Sequence, residues 1–315
     1  MRPTLSIVAQ RAGVSVATVS RSLHDDPSVV AETRQHVLEV CQELGYSPSP
    51  AARRLKQGTK AVVGLSLGAS DYASGHYVAL MHQALSRQFA QSGWSVELIR
   101  RDDFHRELDV GGLILIGVLA NDPRLLALEG SGIPVVSVGH NTKGFRVAPD
   151  DVLGASLALG HLLDSGRRRL AILAAYDAAG NLSLRIRSAL ATARAAGVEP
   201  VLFDVQASTA PTLQGYRGLA KGLATGARFD GLFCETDELA VGALAALEDA
   251  GVSVPGDVAL IGFDDLPEFA GRLTTVRQDI PRLAEAAIDL LNEARRGHPE
   301  RAVLLPVSLV KRETA

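Results

Sequence analysis

The 315-residue sequence has little of what marks exported, membrane-embedded or disulfide-stabilised proteins. Its only two cysteines, Cys41 and Cys234, lie far apart in unrelated apolar segments, which argues against a disulfide framework or a clustered metal site. No run approaches the roughly 18 consecutive apolar residues of a membrane span. The start, Met1-Arg2-Pro3-Thr4, lacks the apolar stretch and cleavage site of a secretory signal. We therefore expect a cytoplasmic protein with no membrane partner.

Net charge is also small, at −3, but it is unevenly distributed. Residues 1–60 hold eight Lys and Arg against five Asp and Glu, whereas the remainder holds 24 against 30. A basic head on an acidic body indicates a polyanionic partner. Because the excess in the head is modest, charge alone does not identify that partner.

From residue 61 onward, short Val/Ile/Leu runs alternate with longer Ala/Leu-rich segments, which is typical of parallel βαβ units. We place strands near Ala61–Leu67, Ser95–Ile99, Leu113–Val118, Pro134–Val138, Leu170–Ala174, Pro200–Phe203, Gly231–Cys234 and Val258–Ile261. The amphipathic helices between them include Tyr77–Ser92, Val152–Asp164, Leu184–Ala196, Leu213–Thr225 and Glu238–Ala250. The pattern predicts an α/β body of two doubly wound lobes, with ligands collecting outside the carboxyl ends of the strands.

One predicted crossover in this body is unusually short. Only ten residues lie between Arg100 and Gly111, whereas a parallel connection normally needs a dozen or more. The helix expected there must therefore be short or absent.

The first 46 residues predict an all-α head. Thr4 caps a first helix that Gly13 ends, and Ser15 caps a second helix after a tight turn. A third helix carries Val37, Val40, Cys41 and Leu44 at the spacing of one helix face. This arrangement is the helix-turn-helix, which places its second helix in the DNA major groove. A small helical domain that binds proteins remains an alternative on composition alone.

The residues of the head then decide between these alternatives. Five stretches closely resemble the DNA-binding head of the lactose-repressor (LacI-type) family: Thr4 to Ala9, Ala12 to Arg21, Thr33-Arg34, Val37-Leu38 and Leu44-Gly45-Tyr46. The resemblance implies that Val16 and Ala17 meet base edges and that Arg21 reaches a base or a phosphate. It implies phosphate contacts for Thr4, Ser15, Thr18 and Ser20. Val30-Ala31 departs from the serine that usually caps the third helix.

Residues 47–60 predict a linker with a short hinge helix. Ser49, Pro50 and Gly58 supply start and stop signals for about two turns, which are marginal alone in water. The segment resembles the family's hinge helix, which implies that Leu55 wedges into the minor groove and Ala52 permits close approach. Arg53 and Lys56 would contact groove or backbone. The alternative is a flexible basic linker with an incidental leucine.

The body, residues 61–315, resembles the same family and hence the periplasmic-binding-protein-like fold. The matching motifs are Gly166 to Ala171, Asp237 with Ala240 and Gly242, Pro255 to Val258, Ile261 to Asp265, Leu273 to Asp279, and Leu304 to Arg312. The resemblance implies a cleft arginine at Arg185 and a cleft carboxylate at Asp264. A guanidinium and a carboxylate suit the hydroxyl groups of a polyol.

Four further effector-binding positions follow less directly from the resemblance. Asp150, paired with Asp151, lies on the segment that joins the lobes, and a solvated loop pair is the alternative. Thr236 stands where the family usually has asparagine. His76 and Tyr77 open the first helix of the first lobe, where Tyr77 offers a stacking face and His76 binds ligand or only caps the helix.

These observations together predict a sequence-specific DNA-binding transcriptional regulator of a bacterium, a repressor whose operator affinity responds to a sugar or related polyol. We expect a homodimer on a pseudo-palindromic operator, since no heptad-bearing tail for a tetramer contact follows the last strand. A solute-binding protein of a transport system is the alternative, against which the helical head speaks. No catalytic motif is present, so we expect no enzyme activity, no cofactor and no metal.

Overall fold

The computed structural model describes residues 5–23, 28–44, 46, 62–67, 75–100, 103–104, 106, 108–118, 122–140, 143–176, 180–206 and 210–315. The chain divides into two compact units, Met1–Lys60 with Leu128–Ile133, and Ala61–Ala127 with Pro134–Ala315. The predicted hinge, residues 47–60, lies outside the described residues, as does Thr4. None of the described helices is both long enough and apolar enough to cross a membrane.

The head contains three helices: α1 (Leu5–Ala12), α2 (Val16–Ser22) and α3 (Ala31–Glu43). Gly13 ends α1 at a φ of 66°, a left-handed conformation that glycine adopts without steric cost. The buried side chains Val8, Val19 and Val37, one from each helix, form the centre of its core. Cys41 belongs to the same core, as its helical spacing predicts.

The described residues of the body contain twelve strands and seven α-helices. In chain order these are β1 (Val62–Leu67), α4 (His76–Gln91), β2 (Ser95–Leu98), β3 (Leu113–Ile116), α5 (Pro123–Ala127), β4 (Val135–Val138), β5 (Phe145–Pro149), α6 (Asp151–Asp164), β6 (Leu170–Tyr176), α7 (Leu184–Ala195), β7 (Val201–Gln206), α8 (Pro211–Ala224), β8 (Gly231–Cys234), α9 (Asp237–Asp249), β9 (Ala259–Asp264), β10 (Thr274–Arg277), α10 (Ile280–Arg295), β11 (Ala302–Leu305) and β12 (Ser308–Val310).

These strands form two six-stranded sheets, one in each lobe. The first has the order β11-β5-β4-β3-β1-β2 and is parallel throughout. The second has the order β12-β10-β9-β8-β6-β7, parallel except for the antiparallel pair of β10 and β12. Central strands such as β3 are buried along their whole length, because helices cover both faces of a parallel sheet.

The chain passes between the two lobes three times. It leaves β5 for α6 at Asp150, leaves β10 for α10 at residues 278–279, and leaves β11 for β12 at residues 306–307. The first lobe is therefore completed by elements from the end of the chain. Each crossing starts at the carboxyl end of a strand, so the polar residues of the crossings lie at the edge where ligands collect in such sheets.

The predicted pair of doubly wound lobes is confirmed, and the strands and helices predicted for the body all occur, with ends that differ by no more than three residues. The described residues between β2 and β3 contain no α-helix, as the short crossover predicts. The sequence interpretation did not assign β5, α5, β10, α10, β11 or β12. Strands β10 and β5 are only four and five residues long, which leaves little periodicity to detect.

Candidate functional site

Arg185 is the centre of a polar network where the lobes meet. Ser183 caps α7 by accepting a hydrogen bond from the backbone N–H of Ile186, and this places Arg185 in the first turn. Its Nε donates to Asp151 Oδ1 at 3.0 Å, and its Nη1 donates to the backbone oxygen of Glu235 at 2.6 Å. Nη1 also lies 3.5 Å from Asp264 Oδ1. Arg185 thus connects Asp151, next to the first of the three crossings, with Glu235 and Asp264 at the ends of β8 and β9 in the second lobe.

The guanidinium of Arg185 also stacks on an aromatic ring. Its central carbon lies 3.4 Å from the centroid of Phe263, which is fully buried in β9. A cation over a desolvated ring is attracted by the negative face of the π-system. The Arg185 side chain is only 11% exposed, so stacking and hydrogen bonds together fix its orientation.

Asp264 reaches the network from the end of β9 in an unusual backbone conformation. Asp264 and Asp265 have φ angles of 121° and 56°, in the left-handed region that non-glycine residues rarely adopt. Asp265 is held there by Arg277 and Arg312, each at 2.6 Å. Strained residues of this kind persist where the surroundings fix them, and they concentrate at functional sites.

Burial shapes the ionisation of the acids in this network. It raises the pKa of Asp264 well above its usual value, against the opposing effect of Arg185. Burial likewise raises the pKa of Glu235 and brings that of Asp237 to about 6. Burial also acts on Asp151, but there Arg185 and a hydrogen bond from His140 prevail and lower its pKa. Asp151 is therefore the carboxylate that balances the charge of Arg185.

Asp237 lies next to the network and binds to β10 and to the segment that follows Asp264. Its Oδ1 accepts a 2.5 Å hydrogen bond from the Thr275 hydroxyl, and its Oδ2 accepts from the backbone N–H of Leu266 at 2.8 Å. Gly262 makes this position possible, because a Cβ there would collide with Asp237 Oδ1. Asp237 thus ties α9 to the segment that follows Asp264.

The predicted effector residues are distributed over three settings. Arg185 and Asp264 lie together, and Tyr77 is close enough that the charge of Asp264 adds to burial in raising its pKa. Thr236 caps α9 through its hydroxyl, next to Glu235. His76 Nδ1 pairs with Glu238 Oε1 at 2.9 Å, and its ring packs edge-on against Phe269, so it joins the first lobe to the second.

Asp150 is the N-cap residue of α6. Its Oδ1 accepts from the backbone N–H of Leu153 and caps α6, whereas the neighbouring Asp151 extends into the network. A helix N-cap has an extended backbone while the next residue is already helical, so adjacent side chains point in different directions. The sequence identified the acidic pair and named Asp150 as the effector residue, which stays a prediction, whereas Asp151 is the member that contacts Arg185.

Sequence reasoning also missed His140, Glu235, Phe263 and Gln278. Gln278 Nε2 donates to Asp264 Oδ1 at 2.5 Å, and His140 Nε2 lies 3.1 Å from Asp151 Oδ2. His140, Glu235 and Gln278 each follow a strand, so a search for polar residues at strand carboxyl ends would have found these three. Phe263 lies within a buried strand and carries no such signal.

The head presents the start of α2 at its surface. Ser15 caps the helix by accepting from the backbone N–H of Thr18 at 3.0 Å, and the two hydroxyl oxygens lie 2.8 Å apart. Val16, which is 46% exposed, and Ala17 and Arg21 face solvent, while Thr18 and Ser20 are half-buried. Val30 makes no side-chain cap for α3, as its apolar character predicts. Thr4, Ala52, Arg53, Leu55 and Lys56 lie outside the described residues.

Comparison with known proteins assigns both parts of the chain. Residues 4–49 match the model for bacterial regulatory proteins of the lacI family, and residues 159–315 match that for a periplasmic binding protein-like domain. The HTH-type transcriptional regulator reg1 of Streptomyces lividans is 32% identical, with 100% of this chain and 97% of reg1 covered. The chain belongs to the lacI family. It is thus a DNA-binding transcriptional regulator.

Two further likenesses span this lacI-family chain. The HTH-type transcriptional repressor PurR of Mannheimia succiniciproducens is 30% identical over 307 residues, covering 92% of this chain and 91% of PurR. The structure of the lac repressor dimer bound to operator and the anti-inducer ONPF is 25% identical, with a TM-score of 0.71. That match covers 100% of this chain and 99% of the other. The agreement therefore extends over head and body alike.

Proposed function

We propose that this lacI-family regulator acts as a homodimeric repressor on a pseudo-palindromic operator and that a sugar or related polyol in the cleft of the body sets its operator affinity. The observation that carries the proposal is the nearly buried Arg185, which binds Asp151 from a lobe crossing and approaches Asp264 from a strand end. A ligand that binds to this network contacts both Asp151, at the crossing between the lobes, and Asp264, in the second lobe.

The DNA-reading role is assigned to the exposed start of α2. Val16 and Ala17 are small and apolar, so they suit contact with thymine methyl groups, whereas Arg21 suits guanine or phosphate. Ser15, Thr18 and Ser20, together with Thr4, supply hydroxyl groups for phosphates.

We assign the coupling between ligand and DNA to residues 47–60, which directly precede β1 in the sequence. Two short hinge helices, one from each subunit, are stable only when they meet on DNA, with Leu55 and Ala52 in the minor groove and Arg53 and Lys56 on the backbone. A ligand that changes the arrangement of the lobes changes the separation of the two hinges. Ligand binding and operator binding are then linked, and each changes the affinity of the other.

The experiment selects preferred duplexes from a random pool with the full chain and measures their affinity as a function of salt. The selected sites should have twofold symmetry, and affinity should fall steeply with salt, because bound phosphates release counterions. Sedimentation should show a dimer at the concentrations used. Asymmetric sites, or a protein that stays monomeric while it binds, would contradict the proposal.

Two arginine variants of the head sharpen this experiment. Arg21→Ala should weaken binding to the selected site by about 1 to 3 kcal/mol and relax its sequence preference. Arg11→Ala removes the same charge from an exposed position in the last turn of α1. It should weaken selected and random duplexes by similar small factors. Equal loss of preference in both variants would remove Arg21 from the reading surface.

A further inference from the structure

The candidate effector site holds more acidic than basic side chains, even when His76 on Glu238 and His140 on Asp151 are counted with Arg185. Five acidic side chains of the described residues lie in or beside the network: Asp151, Glu235, Asp237, Glu238 and Asp264. Arg185 is the arginine that contacts this group, and its Nε is already bonded to Asp151. Asp265 is set apart, because Arg277 and Arg312 both neutralise it. The cleft therefore favours a ligand that brings positive charge.

An unsatisfied acceptor lies beside the same carboxylate. Gln278 is 6% exposed, and its Nε2 donates to Asp264 Oδ1. Its Oε1 is buried and has no hydrogen-bond partner among the described residues. A buried acceptor without a donor costs free energy unless something supplies the donor. Oε1 and the Asp264 carboxylate are thus adjacent acceptors.

The ionisation of the acids agrees with a shortage of positive charge. Burial raises the pKa of Glu235, Asp237 and Asp264, so these groups hold protons more tightly than they do in water. An added cation favours the ionised form of such groups. The described residues contain no group of three or more His, Cys, Asp and Glu placed to hold a metal ion. The missing charge is therefore best supplied by an organic cation.

We propose that the effector of this cleft is a polyol bearing a protonated amine, such as an amino sugar, with its ammonium group between Asp264 and Gln278 Oε1. The inference rests on the proposed effector role of the cleft. An ammonium group has three N–H donors and no acceptor, which matches two adjacent acceptors. The remaining hydroxyl groups face Arg185, which donates to polyol oxygens. A phosphorylated or carboxylated sugar places its charge against the acids and is rejected.

The test compares matched ligands with the full-length protein. Glucose, galactose and mannose are each titrated beside their 2-amino, N-acetyl-2-amino and 6-phosphate counterparts, with melting temperature and dissociation constant as readouts. At least one amino sugar should bind about tenfold or more tightly than its neutral counterparts, because charge-assisted hydrogen bonds are roughly twice as strong as neutral ones. The 6-phosphates should be the weakest of each set.

Two variants that each remove one negative charge test where the amine lies. Asp264→Asn should abolish the preference for the amino sugar, and asparagine tolerates the positive φ at this position. Glu285→Gln changes an exposed carboxylate that pairs with Arg282. It should leave the preference unchanged. The melting temperature of each unliganded variant reports whether the fold is retained.

The outcomes separate this inference from the proposed function. A neutral sugar that binds as tightly as its amine and alters operator affinity overturns the amine assignment and leaves the proposed function standing. The same holds if no amino sugar raises the melting temperature while symmetric duplexes are still bound. Failure of every duplex in the selection overturns the proposed function itself. An amine preference that survives Asp264→Asn overturns the placement of the ammonium group.

Discussion

Each lobe places an arginine at the carboxyl edge of its parallel sheet, but the two arginines have very different surroundings. In the first lobe Arg124 is fully enclosed, with Nε and Nη2 on the two oxygens of Asp122 at 3.0 and 2.8 Å. Its remaining donors reach backbone oxygens of Ser66, Ile116 and Gly117. In the second lobe Arg185 donates to Asp151 and to the backbone oxygen of Glu235. Close by, Gln278 Nε2 donates to Asp264, and Gln278 Oε1 has no hydrogen-bond partner among the described residues.

The difference separates a structural ion pair from a binding site built of the same residue types. Around Arg124 every donor is matched within the first lobe, so a ligand has nothing to add and the pair only holds strand ends together. Around Arg185 the acidic side chains outnumber the basic ones, and burial raises the pKa of Glu235 and Asp264. Buried polar atoms that lack a hydrogen-bond partner, together with shifted pKa values, are typical of a ligand-binding site.

The largest effect on stability is expected from breaking the buried ion pair between Arg124 and Asp122. Arg124→Met leaves the carboxylate of Asp122 buried without its partner and should lower the free energy of unfolding by about 3 to 5 kcal/mol. Chemical denaturation monitored by circular dichroism measures this. Replacing both residues, with Asp122→Leu added, should recover part of the loss, since no unpaired charge remains. A loss of less than about 1 kcal/mol in the free energy of unfolding for Arg124→Met alone would contradict a fully buried, fully paired arginine.

The next effect concerns Asp237 and pH. Burial raises its pKa from 3.8 to about 6, so the folded state binds this proton more tightly than the unfolded state. Its contribution to stability is fully present below pH ~4 and is lost as pH rises through ~6, by up to about 3 kcal/mol. Asp237→Asn should remove this decline, so the stability difference between variant and wild type should change between pH 4 and 7. A difference that stays constant with pH would contradict the assignment.

A smaller effect on stability is expected from removing Arg185, the centre of the network in the second lobe. Arg185→Met should lower the free energy of unfolding by about 1 to 2 kcal/mol, less than Arg124→Met. Asp151 keeps its contact with His140, and Asp264 keeps the hydrogen bond from Gln278 Nε2, so both acids retain a partner when Arg185 is removed. The same variant should abolish the rise in melting temperature with ligand while operator binding without ligand persists. Equal costs for the two arginine variants would erase the contrast between the lobes.

The smallest effect on stability should come from the contact that joins the lobes. His76 is about half-exposed, and pairs of this kind contribute roughly 1 kcal/mol or less. His76→Ala should therefore leave the free energy of unfolding nearly unchanged but weaken ligand binding, because the contact with Glu238 is available only when the lobes approach. Calorimetric titration of both proteins measures this. Unchanged ligand affinity would restrict His76 to capping α4.

The sequence predicted the fold well because its signals are local. Alternating apolar runs and amphipathic helices follow from periodicity, and Gly13 and Ser15 locate the turn of the head. The candidate site was predicted only in part. Arg185 and Asp264 came from the resemblance to the family, whereas Asp151 and Gln278 depend on backbone directions at the lobe crossings, which residue order does not show.

What the sequence alone determined is the arrangement of helices and strands, the helix-turn-helix and the family, because each of these is written in short stretches of neighbouring residues. Only the tertiary structure decided that Arg124 is enclosed while Arg185 shares its charge among too many acids. Hydrogen-bond satisfaction and burial depend on residues far apart in the chain, such as Asp151, Asp264 and Gln278, which meet only after the lobes have formed.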